Sequence, residues 1–352
     1  QLPSSSFVPP NSIERRMIID KTVESILNMS EQNIKMGEML DSKSWINAMV
    51  ALIASGGSTN LAIHLIAMAE AGGYQITIED IDEIASLTPI ITNIYPNGTA
   101  DVNDFHNAGG VSAFIGSLLD GDFLFNDVQT LLGNGLDIYR NKLEIENNNL
   151  VWSNQSAILD QSIIRDSNNP FKKSGGLKLL NGNLGKGIIK TSALNNSETI
   201  IKAPATVFED QEDVLNAFGN NQLNKDTIII IRGQGPSENG MPELHKLTPP
   251  LAVLQNKGFK VAIVTDGRMS GASGKIPAAI HLSPEASANG PIGKIRNGDM
   301  IRLNAMVGTL NALVDEDTWY ERENENLSDQ LRNNNAHDIG RELFAGMRKN
   351  VI

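Results

Sequence analysis

The stretch Phe259-Lys260-Val261-Ala262-Ile263-Val264-Thr265-Asp266-Gly267-Arg268-Met269-Ser270-Gly271-Ala272-Ser273-Gly274-Lys275-Ile276-Pro277 decides how this chain is read. Phe259 to Val264 is short, apolar and β-branched, with turn residues around it, the pattern of a buried strand. It runs into Asp266-Gly267 and then into a loop of glycines and small hydroxyls that carries Arg268 and Lys275. Glycine lets a backbone approach a ligand closely, and a hydroxyl between glycines is presented with little shielding. The same composition also suits an ordinary strand-to-turn connection. A phosphate-cradling P-loop does not fit. Counting back from Gly274-Lys275, its first glycine would fall at Met269, and Ile276 stands where Ser or Thr is required.

Around this stretch the apolar runs are short and β-rich: 177–180, 187–191, 205–208, 227–232, 260–264, 300–304 and 312–314, with helical patterns at 210–218 and 241–255. They predict a β-rich, barrel-like domain decorated with helices, closed by an amphipathic helix over 340–349 after a polar tail at 315–339. Upstream, periodic apolar residues predict helices over 13–40, 45–55, 61–71, 76–87 and 111–119, and strands are hard to find. The polar run 154–176 reads as a linker. The expected class is α/β: a mainly helical portion of an incomplete N-terminal α/β domain over 1–160, then the barrel-like domain over 161–352.

Composition narrows the function. Of 352 residues, 40% are hydrophobic and 20% charged, ordinary for a globular protein, and no apolar run approaches a membrane span. A formal charge of −12 argues against a nucleic-acid partner. An anionic substrate would need local lysine, arginine or metal. With no cysteine, disulfides and thiolate-bound metal are excluded within the chain, and a cytoplasmic setting is expected. The opening at Gln1 without Met leads us to expect a processed or truncated segment.

Several polar stretches could carry chemistry. Ser55-Gly56-Gly57-Ser58-Thr59-Asn60 stands before a helix whose free N–H groups could meet an anion, or whose first turn Ser58 or Thr59 could simply cap. His64, just inside that helix, suits packing better than ligation. Glu243, after the turn Gly240-Met241-Pro242, would fall in a first helical turn with Pro242 at its start. There it serves either the helix dipole or Mg²⁺, which takes one or two carboxylates from a protein. His245 and Lys246 follow, and Arg232 opens the loop that leads there. Each could face an anion or solvent.

Thr265-Asp266-Gly267-Arg268 with Ser270-Gly271, followed by His281 and Pro284-Glu285-Ala286, resembles a signature of the dihydroxyacid dehydratase / phosphogluconate dehydratase family. Ser55 to Asn60 with His64 resembles that family's other signature. Asn183-Leu184, Ala203-Pro204-Ala205 and Gly240-Met241-Pro242-Glu243 fall in the expected order, so the resemblance covers nearly the whole chain. Ser270 to Pro277 and Met241 to Leu247 resemble the phosphogluconate branch, as do Ser5-Ser6-Phe7-Val8 and Tyr95-Pro96-Asn97-Gly98.

The resemblance implies dehydration of a 2,3-dihydroxy acid, in this branch 6-phospho-D-gluconate to 2-dehydro-3-deoxy-6-phosphogluconate, an Entner–Doudoroff step; another sugar acid is the alternative. It implies an iron–sulfur cluster, Mg²⁺ and a homodimer. It maps the catalytic base onto Ser270, the Mg²⁺ carboxylate onto Glu243, and the substrate pocket onto Ser58 and Thr59. Ser270 would need Arg268, Lys275 or a metal to lower its pKa. Charge alone nominates Lys275, His245, Lys246 and Arg232 for the substrate phosphate, with Arg268 also facing substrate. The family's cluster cysteines precede the stretch that begins here at Leu2, so the chain resembles the C-terminal part of such an enzyme. A non-catalytic dimerisation module is the reading from outside the enzymes. Purified alone, the chain is expected to show neither iron–sulfur absorbance nor turnover of 6-phospho-D-gluconate; turnover in that assay would overturn the expectation.

Overall fold

Chain breaks and caps set the helices of the first half. In the computed structural model, residues 1–152, 154–195, 198–269, 274–337 and 341–349 are described. The first helix, α1 (Ile13–Glu31), starts on Ser12, whose side chain accepts the Arg15 N–H. It ends before residue 40 because Asn33 takes φ 55°. Asn33 N–H then reaches Ser30 O and Ile34 N–H reaches Met29 O, a Schellman stop with asparagine in the left-handed position. The pattern expected as one helix is therefore α1 followed by the single turn α2 (Met36–Met39). Asp41 caps α3 (Ser42–Ala54) through Ser44 N–H at 2.8 Å. Gly56 and Gly57, at φ 88° and 71°, end α3 with the same Schellman pair, to Ile53 O and Leu52 O. The Gly-Gly break is thus a helix stop.

The rest of this half is α4 (Thr59–Ala71), α5 (Ile78–Leu87), α6 (Val102–Asn107) and α7 (Gly110–Asp120), then two small hairpins, β1 (Gln129–Thr130) with β2 (Gly133–Asn134) and β3 (Glu144–Glu146) with β4 (Asn149–Val151). Capping boxes start α5 at Thr77/Asp80 and α6 at Asp101/Asp104. The core packs Val50, Ala54, Ile91, Phe105, Phe114, Leu118 and Ile164. The polar run 154–176 is not a free linker. Ile164 is fully buried, Arg165 N–H donates to Ile91 O, and Phe171 N–H donates to Ile90 O. Its few apolar residues and backbone bonds hold it, which a reading of average polarity misses.

The second half is a closed eight-stranded barrel. Its strands are β5 (Leu177–Gly182), β6 (Gly185–Lys190), β7 (Ile200–Phe208), β8 (Thr227–Ile231), β9 (Val261–Thr265), β10 (Ala278–Ser283), β11 (Met300–Asn304) and β12 (Thr309–Ala312). The order around the barrel is β10-β6-β5-β12-β11-β7-β8-β9. β7, β8, β9 and β10 are successively parallel, β5 meets β12 in parallel, and the other pairs are antiparallel. The sequence reading overlooked β10. Ile228, Ile230, Ala262, Val264, Ile301 and Leu303 fill the interior. Between strands lie α8 (Gln211–Gly219), α9 (Pro236–Asn239) and α10 (Thr248–Asn256), and the tail forms α11 (Glu316–Glu321), α12 (Asp329–Ala336) and α13 (Arg341–Lys349).

The expected helix over 241–255 becomes a 3-10 turn over His245–Leu247 and an α-helix that begins at Thr248. Pro249 and Pro250 supply no N–H and suit only a first turn, so the helix cannot extend back through them. Glu243 is therefore not in a helix and Pro242 is not at N1. Glu243 instead forms an isolated parallel bridge with Arg268.

By contacts the chain divides into Gln1–Gly57 with Leu61–Gly176, and Ser58–Asn60 with Leu177–Ile352. The first turn of α4 thus groups with the barrel unit. Ile230, 0% exposed in the barrel interior, leaves no room for relaxation. Ile230→Ala is expected to cost about 2–5 kcal/mol in urea unfolding of the barrel unit.

Candidate active site

Three loops of the barrel unit converge on one carboxylate. β9 ends at Thr265, and the next side chain, Asp266, is buried. Its oxygens accept N–H bonds from Gly233 (3.1 Å), Gln234 (2.9 Å) and Ala286 (2.9 Å). It so ties the loop after β8 and the segment after β10 to the end of β9. Burial pushes its carboxyl pKa up, opposed by the three backbone donors. Glu285 does parallel work: its two oxygens accept from Ser237 N–H (2.9 Å) and Glu238 N–H (3.2 Å). Gly235 is required there, because a Cβ would stand 2.2 Å from Glu285 Oε2. Gln234 Oε1 accepts from Asn239 Nδ2 at 2.9 Å, closing the α9 turn on itself.

Held on this frame is the cluster Asn60, Glu243 and Arg268. Arg268 Nη1 donates to Glu243 Oε1 at 3.1 Å, and its Nε donates to Met241 O at 2.5 Å. Asn60 Nδ2 donates to the same Glu243 oxygen at 2.6 Å. Thr59, 2% exposed, donates its hydroxyl to Met269 O at 3.0 Å across a separation of 210 residues. Thr59 thus serves a tertiary contact, and the Ser58–Asn60 stretch meets the 265–269 stretch directly. The Arg268–Glu243 pair is about one-third exposed, so solvent weakens its contribution to stability.

The other sequence candidates are distributed as follows. Ser270 lies outside the described residues. Ser58 and Lys275 are exposed. His245 is exposed, with Nδ1 3.3 Å from Glu243 O, one residue beyond the cluster. Lys246 pairs with Glu212 of α8. Arg232 is buried and turned inward, with its guanidinium at Glu325 (2.6 Å), Glu209 (3.3 Å) and Gly293 O (3.4 Å). Its donors serve the fold, and it is not part of the cluster. The Pro242-Glu243 turn, read as helical, is instead an extended segment that lays Glu243 beside Arg268.

Sequence reasoning missed three residues here. Asn60 was quoted only within a motif. His281 was too, yet the structure bonds its N–H to Gly267 O at 2.9 Å. Lys190 gave no signal, because it ends an apolar strand as a solvent-facing lysine would. It is 7% exposed and, with Thr59, Met269, Gly274 and Ile276, lines a cavity of about 10 Å³, room for roughly one water. Burial lowers its amine to about 8. A cavity of about 740 Å³ in the helical unit holds none of these groups.

The donor set decides what the site can hold. Glu243 offers a hard carboxylate beside an amide, which suits one position of Mg²⁺. Among the described residues no group of three or more His, Asp or Glu side chains forms a metal nest, so Glu243 would be one ligand among others from elsewhere. The chain has no cysteine, so no residue in it fits thiolate ligation of an iron–sulfur cluster.

Residues 162–352 match the model of the dihydroxy-acid/6-phosphogluconate dehydratase C-terminal domain, and residues 1–141 match that of the N-terminal domain. The chain is 46% identical over 99% of its length to a phosphogluconate dehydratase of Pseudomonas aeruginosa. It is 43% identical over its whole length to that of Escherichia coli. A dihydroxy-acid dehydratase of Sulfurisphaera tokodaii is 33% identical over 92% of the chain. The chain spans 56–58% of the length of these relatives.

The Lys190 environment carries a prediction. Its native pKa lies below the unfolded value, so between about 8 and 10.5 the unfolded chain binds the extra proton and stability rises with pH. Lys190→Met is expected to lose this rise, its thermal midpoint changing less than the parent's between about pH 8 and 10.5, read by thermal melts at each pH.

Proposed function

The chain belongs to the dihydroxy-acid/6-phosphogluconate dehydratase family, and on that premise we propose that it is the portion of a phosphogluconate dehydratase carrying its base loop and one Mg²⁺ carboxylate. The reaction proposed for the complete enzyme is dehydration of 6-phospho-D-gluconate to 2-dehydro-3-deoxy-6-phospho-D-gluconate. One observation carries the reading: two motif stretches remote in sequence, 58–60 and 265–269, are hydrogen-bonded around Glu243. The names of the relatives favour the phosphorylated acid over other sugar acids.

The chemistry asks for removal of the C2 proton, loss of the C3 hydroxyl as water, and ketonisation of the resulting enol. Ser270 is the proposed base at C2. A serine serves only if its pKa is strongly lowered, and the positive charges of Arg268 and Lys190 flank the loop in sequence and at the cavity wall. Glu243 is proposed to hold Mg²⁺, which when bound supplies Lewis-acid charge to the substrate oxygens. Arg268, fixed by Glu243 and Met241 O, holds that carboxylate in place and orients it. Thr59 holds the base loop's first flank at Met269. Lys275, His245, Lys246 and Arg232 remain the proposed phosphate contacts, with Ser58 and Thr59 at the pocket; of these, Lys246 is paired with Glu212, and Arg232 with Glu209 and Glu325. A homodimer in the cytoplasm is the expected setting; no described helix is long and apolar enough to cross a membrane.

The test uses the dehydratase extended to the length of its relatives. Ser270→Ala is expected to lower kcat at least 1000-fold with the iron–sulfur spectrum unchanged. Glu243→Gln should shift the Mg²⁺ activation curve to higher concentration. Equal Mg²⁺ curves for Glu243→Gln and the parent would remove the assignment.

A further inference from the structure

His281 bears two separate local costs. It lies in β10 with φ 57°, a left-handed conformation that a β-carbon disfavours and that glycine or asparagine would take more cheaply. The pairing of β10 with β6 shifts register between Ile280 and Ser283, so the residue sits at a bulge that turns its side chain out of the ladder. Its Nε2 is also buried without a hydrogen-bond partner among the described residues. An unmet buried polar atom costs on the order of 1–3 kcal/mol. Nothing in the barrel core needs an imidazole there, and either cost alone could be relieved by one substitution. Their coincidence marks a residue kept for something outside the fold.

The surroundings say what that is. The His281 N–H donates to Gly267 O at 2.9 Å, next to Arg268, whose side chain is fixed on Glu243. Burial, and then the Arg268 charge, lower the imidazole to about 4, so the ring is neutral at working pH. A neutral imidazole whose backbone is bonded next to Arg268 and whose ring feels that charge is an uncharged hydrogen-bonding group. It discriminates hydroxyls, not charges.

We infer that His281 is a substrate-binding residue of this site, its Nε2 hydrogen-bonding a hydroxyl of the polyhydroxy acid held at Glu243 and Arg268. The inference rests on the dehydratase reading for the identity of the acid. It assigns His281 to recognition of the carbon chain and not to proton transfer, since a ring held near 4 is a poor base at neutral pH.

Two variants test it. His281→Asn keeps a residue that tolerates the left-handed backbone but is too short to reach the Nε2 position; His281→Gln reaches it. In the 352-residue chain, His281→Asn is expected to melt at or above the parent temperature, because the strain and the unmet atom are both relieved. In the dehydratase extended to the length of its relatives, His281→Asn should raise KM for 6-phospho-D-gluconate about tenfold with kcat within about threefold, and His281→Gln should recover most of that loss. A destabilised His281→Asn with unchanged KM, or a His281→Gln no better than His281→Asn, would overturn the inference. Calorimetric binding of the same acid separates the two readings. Acid bound but not dehydrated, and bound less well by His281→Asn, sinks the dehydratase reading and keeps the role of His281. Acid bound equally by parent and variant sinks the role of His281. Acid not bound by the parent sinks both.

Discussion

A single buried carboxylate holds the barrel's loops in register. Asp266 collects backbone N–H groups from the segment after β8 and from the segment after β10, while its own backbone continues β9. Three parallel strands end side by side in β8, β9 and β10, and the carboxylate joins their loops beyond the strand ladders. Without the carboxylate these N–H groups would lie buried and unmet. Burying an acid is unfavourable, as its raised pKa records, and the three donors are what make it tolerable. Glu285 repeats the device on α9, and Gly235 is small because that carboxylate comes so close.

On this frame, Glu243 is positioned by side chains and not by a helix. Arg268 and Asn60 approach one of its oxygens, and the bridge between residues 243 and 268 fixes the backbone on either side. A carboxylate held this way keeps its orientation while remaining about one-third exposed, which suits the Mg²⁺ role proposed for it. A fully buried pair would be neutralised or inaccessible, and a fully exposed one would wander. Thr59 and Asn60 lie within the barrel unit although their helix continues into the helical one, so the start of α4 has its hydrogen bonds committed to barrel loops.

The three lysines and arginines nominated from charge show how little charge alone decides. Arg232 is enclosed by Glu209 and Glu325, and Lys246 leans on Glu212. Nη2 of Arg232 finds both acids, and these come from residues 23 and 93 positions away. Lys190 is the converse: a lysine at the end of an apolar strand that folding buries at the wall of a small cavity.

Much was legible without tertiary contacts, because it is local. The buried strand read over Phe259 to Val264 and the helices around Trp45, Leu61 and Val214 follow from residue period. The β-rich second half and the absence of thiolate ligands are equally direct readings of composition. The polar run 154–176 was misread because polarity averages over the few residues, such as Ile164, that anchor it. The helix through Met241 was misplaced because apolar spacing outweighed Pro249 and Pro250. Closure of the barrel, the meeting of residues 59 and 269, the inward turn of Arg232 and the left-handed backbone of His281 were decided only by the tertiary structure. Each depends on partners far along the chain, and a sequence pattern of period two or 3.6 carries no information about which distant strand or carboxylate will lie beside it.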